Sequence, residues 1–210
     1  MKTLYVSIDI EADGPIPGRN SMLSLGTAVF DLQNADPRVP IDLYETNLIP
    51  LPEATPDKDT MAWWQHPEQA QAWAYVNQNR RAPEIAMTQF KGWLEDLQIT
   101  WKAKLVFVGY PATYDFMFTY WYLVRFTGFP APFGFQGLDI KTLAATKLGI
   151  PFQEAAKRNF PKKWFEGINQ PHTHKAIDDA VEQGILFVNI MNHPPCLAQT
   201  RNHRIRPRPT

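Results

Sequence analysis

The sequence is poor in the features that mark a secreted, disulfide-stapled or membrane-spanning chain. Of its 210 residues only Cys196 is a cysteine, so no internal disulfide can form, which suits a reducing cytosol and a cytoplasmic location. No apolar run approaches the roughly 18 residues needed to cross a bilayer. The opening, MKTLYVSIDIEADG, has no apolar core followed by a small-residue cleavage site, and no secretory signal is expected. Net charge is absent too, because 21 Lys and Arg balance 21 Asp and Glu. What the chain does have is 44% hydrophobic and 13% aromatic residues. That composition excludes a disordered chain, and at this length it gives one domain burying about 70% of its unfolded surface. The 19 prolines, about twice the usual share, fall mostly in connections and point to long ordered loops.

The neutral total conceals an asymmetry. The last ten residues, RNHRIRPRPT, hold Arg201, Arg204, Arg206 and Arg208 and no acid, leaving 17 basic against 21 acidic residues in the body. An acidic body can gather cations and a basic tail can touch phosphates; a merely solubilising terminus is the alternative. The expected organisation is a domain over residues 1–195 and a flexible basic tail over 196–210.

Residues 3–10 alternate and are rich in β-branched and aromatic types, which predicts a strand running into a turn-rich stretch over 12–20. Further strands are expected over 22–31 and 41–49, making an antiparallel meander. Helices are expected over 57–66, 68–78 and 83–97, the last opening on Pro and Glu. A short apolar strand over 104–109, a helix over 114–126, a strand over 137–140 and helices over 142–148 and 175–191 follow. Three antiparallel strands succeeded by β-α-β-α units predict an α/β fold with a mixed central sheet flanked by helices.

Three places could carry chemistry. Asp9 and Glu11 stand two apart near the end of the first strand, so both carboxylates project from one face and together call for a cation. Oxygen ligands of this kind suit Mg²⁺ or Mn²⁺ rather than zinc. Asp115 follows the strand over 104–109 and lies among Tyr114, Phe116, Met117 and Phe118, where a carboxylate needs a partner; helix-start capping would also explain it. The third place is PHTHKAIDDA, residues 171–180. On a helical wheel, Lys175, Asp178, Glu182, Asn189 and Asn192 form a polar stripe read as the solvated face. Asp179 lies on the line of Leu186 and Ile190 and should face the sheet, and His174 should sit in the loop before the helix. His172 and His174 could alternatively form a zinc pair, although few other His or Cys residues are nearby.

In order and in structural context, Asp9-Ile10-Glu11, Tyr114-Asp115 and His174-x4-Asp179-Ala180 resemble the three motifs of the DEDDh 3′-5′ exonucleases, over about residues 4–190. Met61-Ala62-Trp63-Trp64 is similar to a segment of the family's RNase T-like exoribonuclease branch. The sequence departs from the family pattern before the second motif. There an Asn or His often stands, and Tyr110, Pro111 and Ala112 are found instead, which bears on substrate contacts more than on metal binding. The resemblance implies a ribonuclease H-like fold and two divalent ions, Mg²⁺ or Mn²⁺, about 4 Å apart, that clamp the attacking and leaving oxygens. Asp9, Glu11, Asp115 and Asp179 would hold the ions, four carboxylates balancing two divalent cations, and His174 would act as general base. The substrate implied is the 3′ end of single-stranded RNA, or of DNA, released as nucleoside 5′-monophosphates; a homodimer is compatible with the family.

Substrate contacts are expected from Asn20, Ser21 and Met22, just after the first motif, although an ordinary strand start would look the same. Lys157, Arg158, Lys162 and Lys163 are interleaved with Phe160, Trp164 and Phe165, a mixture that suits a flexible single strand or, alternatively, a solvated cover with aromatic anchors. The rival functions are a nucleic-acid-binding module without catalysis and a hydrolase of small nucleotide esters.

Overall fold

The computed structural model describes residues 2–128, 131–169 and 173–194. The basic tail with its four arginines, Cys196, and His172 of the zinc-pair alternative lie outside them. Strands β1 (Lys2–Ala12), β2 (Met22–Phe30) and β3 (Asp42–Asn47) form the expected antiparallel meander. Strands β4 (Ala103–Gly109) and β5 (Gly137–Asp139) then add in parallel on the far side of β1. The order is β3-β2-β1-β4-β5, so β1 is the central strand of a mixed sheet.

The period-two pattern of β1 sorts its side chains between two helical layers. Leu4, Val6, Ile8 and Ile10 join one core with Met87, Phe90 and Leu94 of α3 (Pro83–Trp101) and Phe118, Tyr122 and Leu123 of α4 (Ala112–Thr127). Tyr5 faces the opposite way, its ring 4.9 Å from that of Phe187 in α6 (Ala176–Asn192). The odd-numbered positions of β1, which include Asp9 and Glu11, therefore lie on the α6 side. A buried hydrogen bond joins β1 to α6, the Gln183 amide donating to the Ile8 carbonyl at 2.8 Å.

Two expectations need correction. Residues 68–78 are not one helix: Pro67–Gln69 make a 3-10 turn, and only Ala70–Val76 is α-helical (α2). The polar stripe of α6 is not a solvated face either. Glu182 pairs with Lys157 at 2.7 Å, Asp178 accepts from the Thr173 hydroxyl at 2.8 Å, and Asn189 donates to the carbonyls of Trp164 and Glu166, both at 2.9 Å. Through Glu182 and Asn189 the stripe receives the arm over residues 151–169, whose Phe160 and Trp164 are buried in the α6-side core, while Asn192 at its far end is exposed. Helical periodicity shows where polar groups fall, not whether water or protein meets them.

The start of α6 lies directly on β2. A Cβ placed on Gly26 would occupy the backbone of Ala176 and Ile177, leaving no flexible group to move aside. Gly26→Ala is therefore expected to destabilise the fold at the upper end of about 1–3 kcal/mol or beyond, lowering the melting temperature by about 2–4 °C per kcal/mol. It should also displace Asp179, three residues into the same helix. A melting curve unchanged within a degree would show that the contact is looser than described.

Candidate active site

The site lies at the carboxyl end of β1, where three separate parts of the chain meet. Asp9 and Glu11 are half-buried on the α6 face, while their neighbours Ile8, Ile10 and Ala12 are buried on the other. The register shifts between Glu11 and Ala12, and the chain is fixed there from outside. The buried Trp64 indole of α1 (Lys58–Trp64) donates to the Ala12 carbonyl at 3.0 Å, and the Asp57 amide donates to the Asp13 carbonyl at 2.7 Å.

Asp115 arrives from the opposite layer, in the first turn of α4. Its carboxylate reaches round to β1 and accepts the Ile10 amide at 3.3 Å. Gly109, the last residue of β4, permits this approach, since a Cβ there would stand 2.8 Å from Ala112 Cα and 3.3 Å from the Asp115 carboxylate. Asp139 at the end of β5 steadies the same turn: it accepts the Ala112 amide at 2.9 Å while its other oxygen caps α5 (Ile140–Leu148) through Thr142 at 2.7 Å. Nothing in the sequence near Asp139 singled it out, because the role depends on β5 lying beside β4.

From α6, Asp179 is buried and faces the sheet, as its wheel position predicts. His174 lies before the helix at φ +53°, in the left-handed region. Glu11, His174 and Asp179 each offer a ligand atom within 4.8 Å of the others, and the exposed Trp63 ring stands edge-on to the His174 imidazole with centroids 5.0 Å apart. Trp63 is the neighbour that sequence reasoning left without a role; its place in the Met61–Trp64 segment was the only signal.

Electrostatics tie the acids into one group. Burial raises the Asp9 carboxyl well above the usual carboxylate range, and the charges of Asp115, Glu11 and Asp179 push it further, with Lys157 opposing. Burial likewise raises Asp115, against the Ile10 hydrogen bond that favours its ionised form. This crowd of carboxylates fits divalent cations held by oxygen, whose charge would reverse both shifts. For carboxyls raised in the folded state, the associated stability is fully present at pH values below the unfolded pKa and is lost as pH climbs through the raised values. The metal-free protein should accordingly melt lower at about pH 8 than at about pH 5.5, and Mn²⁺ should raise the melting temperature more at the higher pH. Equal Mn²⁺ shifts at both values would contradict this electrostatic account.

The remaining expected contacts are placed differently. Asn20, Ser21 and Met22 are all buried. Asn20 closes the loop through Ile16 and Thr55, Ser21 bonds to Asp13 and Leu51, and the Met22 amide donates to the Tyr122 hydroxyl at 2.7 Å. Their side chains shape the loop after β1. Lys162 and Lys163 are exposed on the arm, outside the acidic cluster, whereas Phe160 and Trp164 are anchors rather than stacking surfaces.

A mixed five-stranded sheet between helical layers, with carboxylates gathered at the carboxyl end of its central strand and a histidine beside them, has the ribonuclease H-like fold of the DEDDh-type 3′-5′ exonucleases. The nuclease domain of 3′hExo, a DEDDh member bound to rAMP, matches with a TM-score of 0.62 over 90% of this chain and 91% of that one at 10% identity. Escherichia coli exonuclease I in complex with a dA16 oligonucleotide matches with a TM-score of 0.60 over 92% of this chain and 42% of that one at 13% identity. Residues 4–191 match the Rv2179c-like 3′-5′ exoribonuclease domain, and the chain belongs to that family. It is also 30% identical over 190 residues to the Escherichia coli 3′-5′ DNA exonuclease Cap18, covering 89% of this chain and 90% of that protein.

Proposed function

We propose that the chain hydrolyses the 3′-terminal phosphodiester of single-stranded RNA and releases nucleoside 5′-monophosphates. The observation that carries this reading is the convergence of Glu11, His174 and Asp179 within 4.8 Å, from opposite ends of the sequence, beside Asp9 and the inward-reaching Asp115. Asp9, Glu11, Asp115 and Asp179 would hold two divalent cations, Mg²⁺ or Mn²⁺. Once bound, these supply positive charge to the attacking and leaving oxygens. The chain's own groups do the rest: a ring nitrogen of His174 takes the proton of the attacking water, Trp63 limits the swing of that ring, and Lys162 and Lys163 meet the strand's phosphates. An imidazole suits the proton transfer because its ordinary pKa lies near the working pH.

RNA is favoured by membership of an exoribonuclease domain family; DNA is the second reading, favoured by the likeness to a DNA exonuclease. The test is incubation with 3′-labelled and 5′-labelled RNA and DNA oligonucleotides in Mg²⁺, Mn²⁺ or EDTA. A metal-dependent ladder growing from the 3′ end, on RNA in preference to DNA, is the expected result. Faster DNA cleavage would overturn the RNA assignment. Binding insensitive to EDTA with no product would identify a silent binding module, and cleavage of a model diester alone an esterase.

A further inference from the structure

We propose that the Lys157 ammonium is a phosphate-binding group of this site, contacting a non-bridging oxygen of the scissile phosphate and of the 5′-phosphate on the released mononucleotide. The choice of ligand rests on the exonuclease reading; the placement of the lysine does not. Lys157 belongs to the arm over residues 151–169, which is otherwise anchored away from the acids by the buried Phe160 and Trp164 and by the bonds from Asn189. Its side chain turns towards α6 and pairs with Glu182 at 2.7 Å, one turn beyond Asp179 on the same helix. Its ammonium also lies 5.3 Å from the centroid of the Tyr110 ring, in the short connection between β4 and the helix that carries Asp115. The lysine is thus held between the two elements that deliver Asp115 and Asp179. Its charge reaches the cluster, where it works against the repulsion on Asp9.

A structural ion pair is a poor explanation for this arrangement. The pair is part-buried, with the Lys157 side chain 34% and the Glu182 side chain 14% exposed, but the arm already has its anchors in Phe160 and Trp164. Position supplies a better one. The phosphodiester is anionic when bound and gains further negative charge as water adds, and the ammonium stands between the elements that carry Asp115 and Asp179. Glu182 neutralises it while the site is empty, and as a compact point charge it can turn from Glu182 to a phosphate whose geometry changes. Glu182 holds the ammonium in place until a phosphate arrives.

The test compares AMP with adenosine, titrated into the full chain in Mg²⁺ by calorimetry. Wild type is expected to bind AMP about tenfold or more tightly than adenosine, the scale of one charge-assisted hydrogen bond. Lys157→Met should cut the wild-type preference by about fivefold or more, the bound cations keeping the remainder, while Lys157→Arg keeps most of it. Glu182→Gln breaks the same ion pair but leaves the ammonium, and should also keep it. Any of three results would overturn the proposal: no preference in wild type, an undiminished preference in Lys157→Met, or a loss in Glu182→Gln as complete as in Lys157→Met, which would mark the pair as merely structural. Because binding is read without turnover, a wild-type protein that distinguishes AMP from adenosine but cleaves no oligonucleotide would defeat the exonuclease reading and leave the phosphate site standing.

Discussion

Replacing His174 by alanine is expected to lower turnover on a single-stranded oligonucleotide by about 10²–10⁴-fold, the range that a positioned general base contributes. The Mn²⁺-induced rise in melting temperature should survive. Asp9, Asp115, Glu11 and Asp179 all remain, and His174 lies in the loop before α6 rather than within the packed strand and helix ends that carry them. Single-turnover rates at saturating Mn²⁺ isolate the chemical step. A deficit below about tenfold would remove His174 from the role of base. Loss of the thermal shift along with activity would instead make the imidazole a metal ligand, a reading that its 4.8 Å grouping with Glu11 and Asp179 makes worth measuring.

Asp115→Asn is expected to move activity and stability in opposite directions. The amide keeps an acceptor for the Ile10 amide at similar geometry, so the start of α4 should hold. It removes, however, a negative charge that burial disfavours and that repels Asp9. The metal-free variant should therefore melt higher than wild type at neutral pH, by about 2–4 °C for each kcal/mol of repulsion relieved. Turnover should fall by about 10³-fold or more, as expected when a charge acting in the transition state is lost from a water-poor site, and the Mn²⁺ shift should shrink. If Asp115 were only a helix cap, the same variant would keep its activity and gain no stability, so one pair of measurements separates the roles.

The parts of the molecule that were legible in the sequence are those governed by short-range rules. The alternation in β1, the apolar run of β4 and the wheel position of Asp179 each depend on a few neighbouring residues, and each predicted the element and the face found. The three motif segments could be placed on a strand end, a helix start and a helix face because their own surroundings carry that information. What could not be read depends on which distant segment arrives. The stripe on α6 reads as a water-facing surface because periodicity is blind to the arm that meets Glu182 and Asn189. Asn20, Ser21 and Met22 follow the first motif directly, yet their side chains are used up by Ile16, Thr55, Asp13, Leu51 and the core, the hydrogen-bond partners lying 4 to 35 residues away. Asp139 was invisible for the same reason, since its importance is a matter of strand order.

The bond from Gln183 to Ile8 has a consequence for the timing of activity during synthesis. Asp9 leaves the ribosome 170 residues before Asp179. Between those two points a nascent chain displays the carboxylates of β1 without the residues of α6 beside them. The connectivity thus postpones assembly of the site until α6 has been made and has docked against β1.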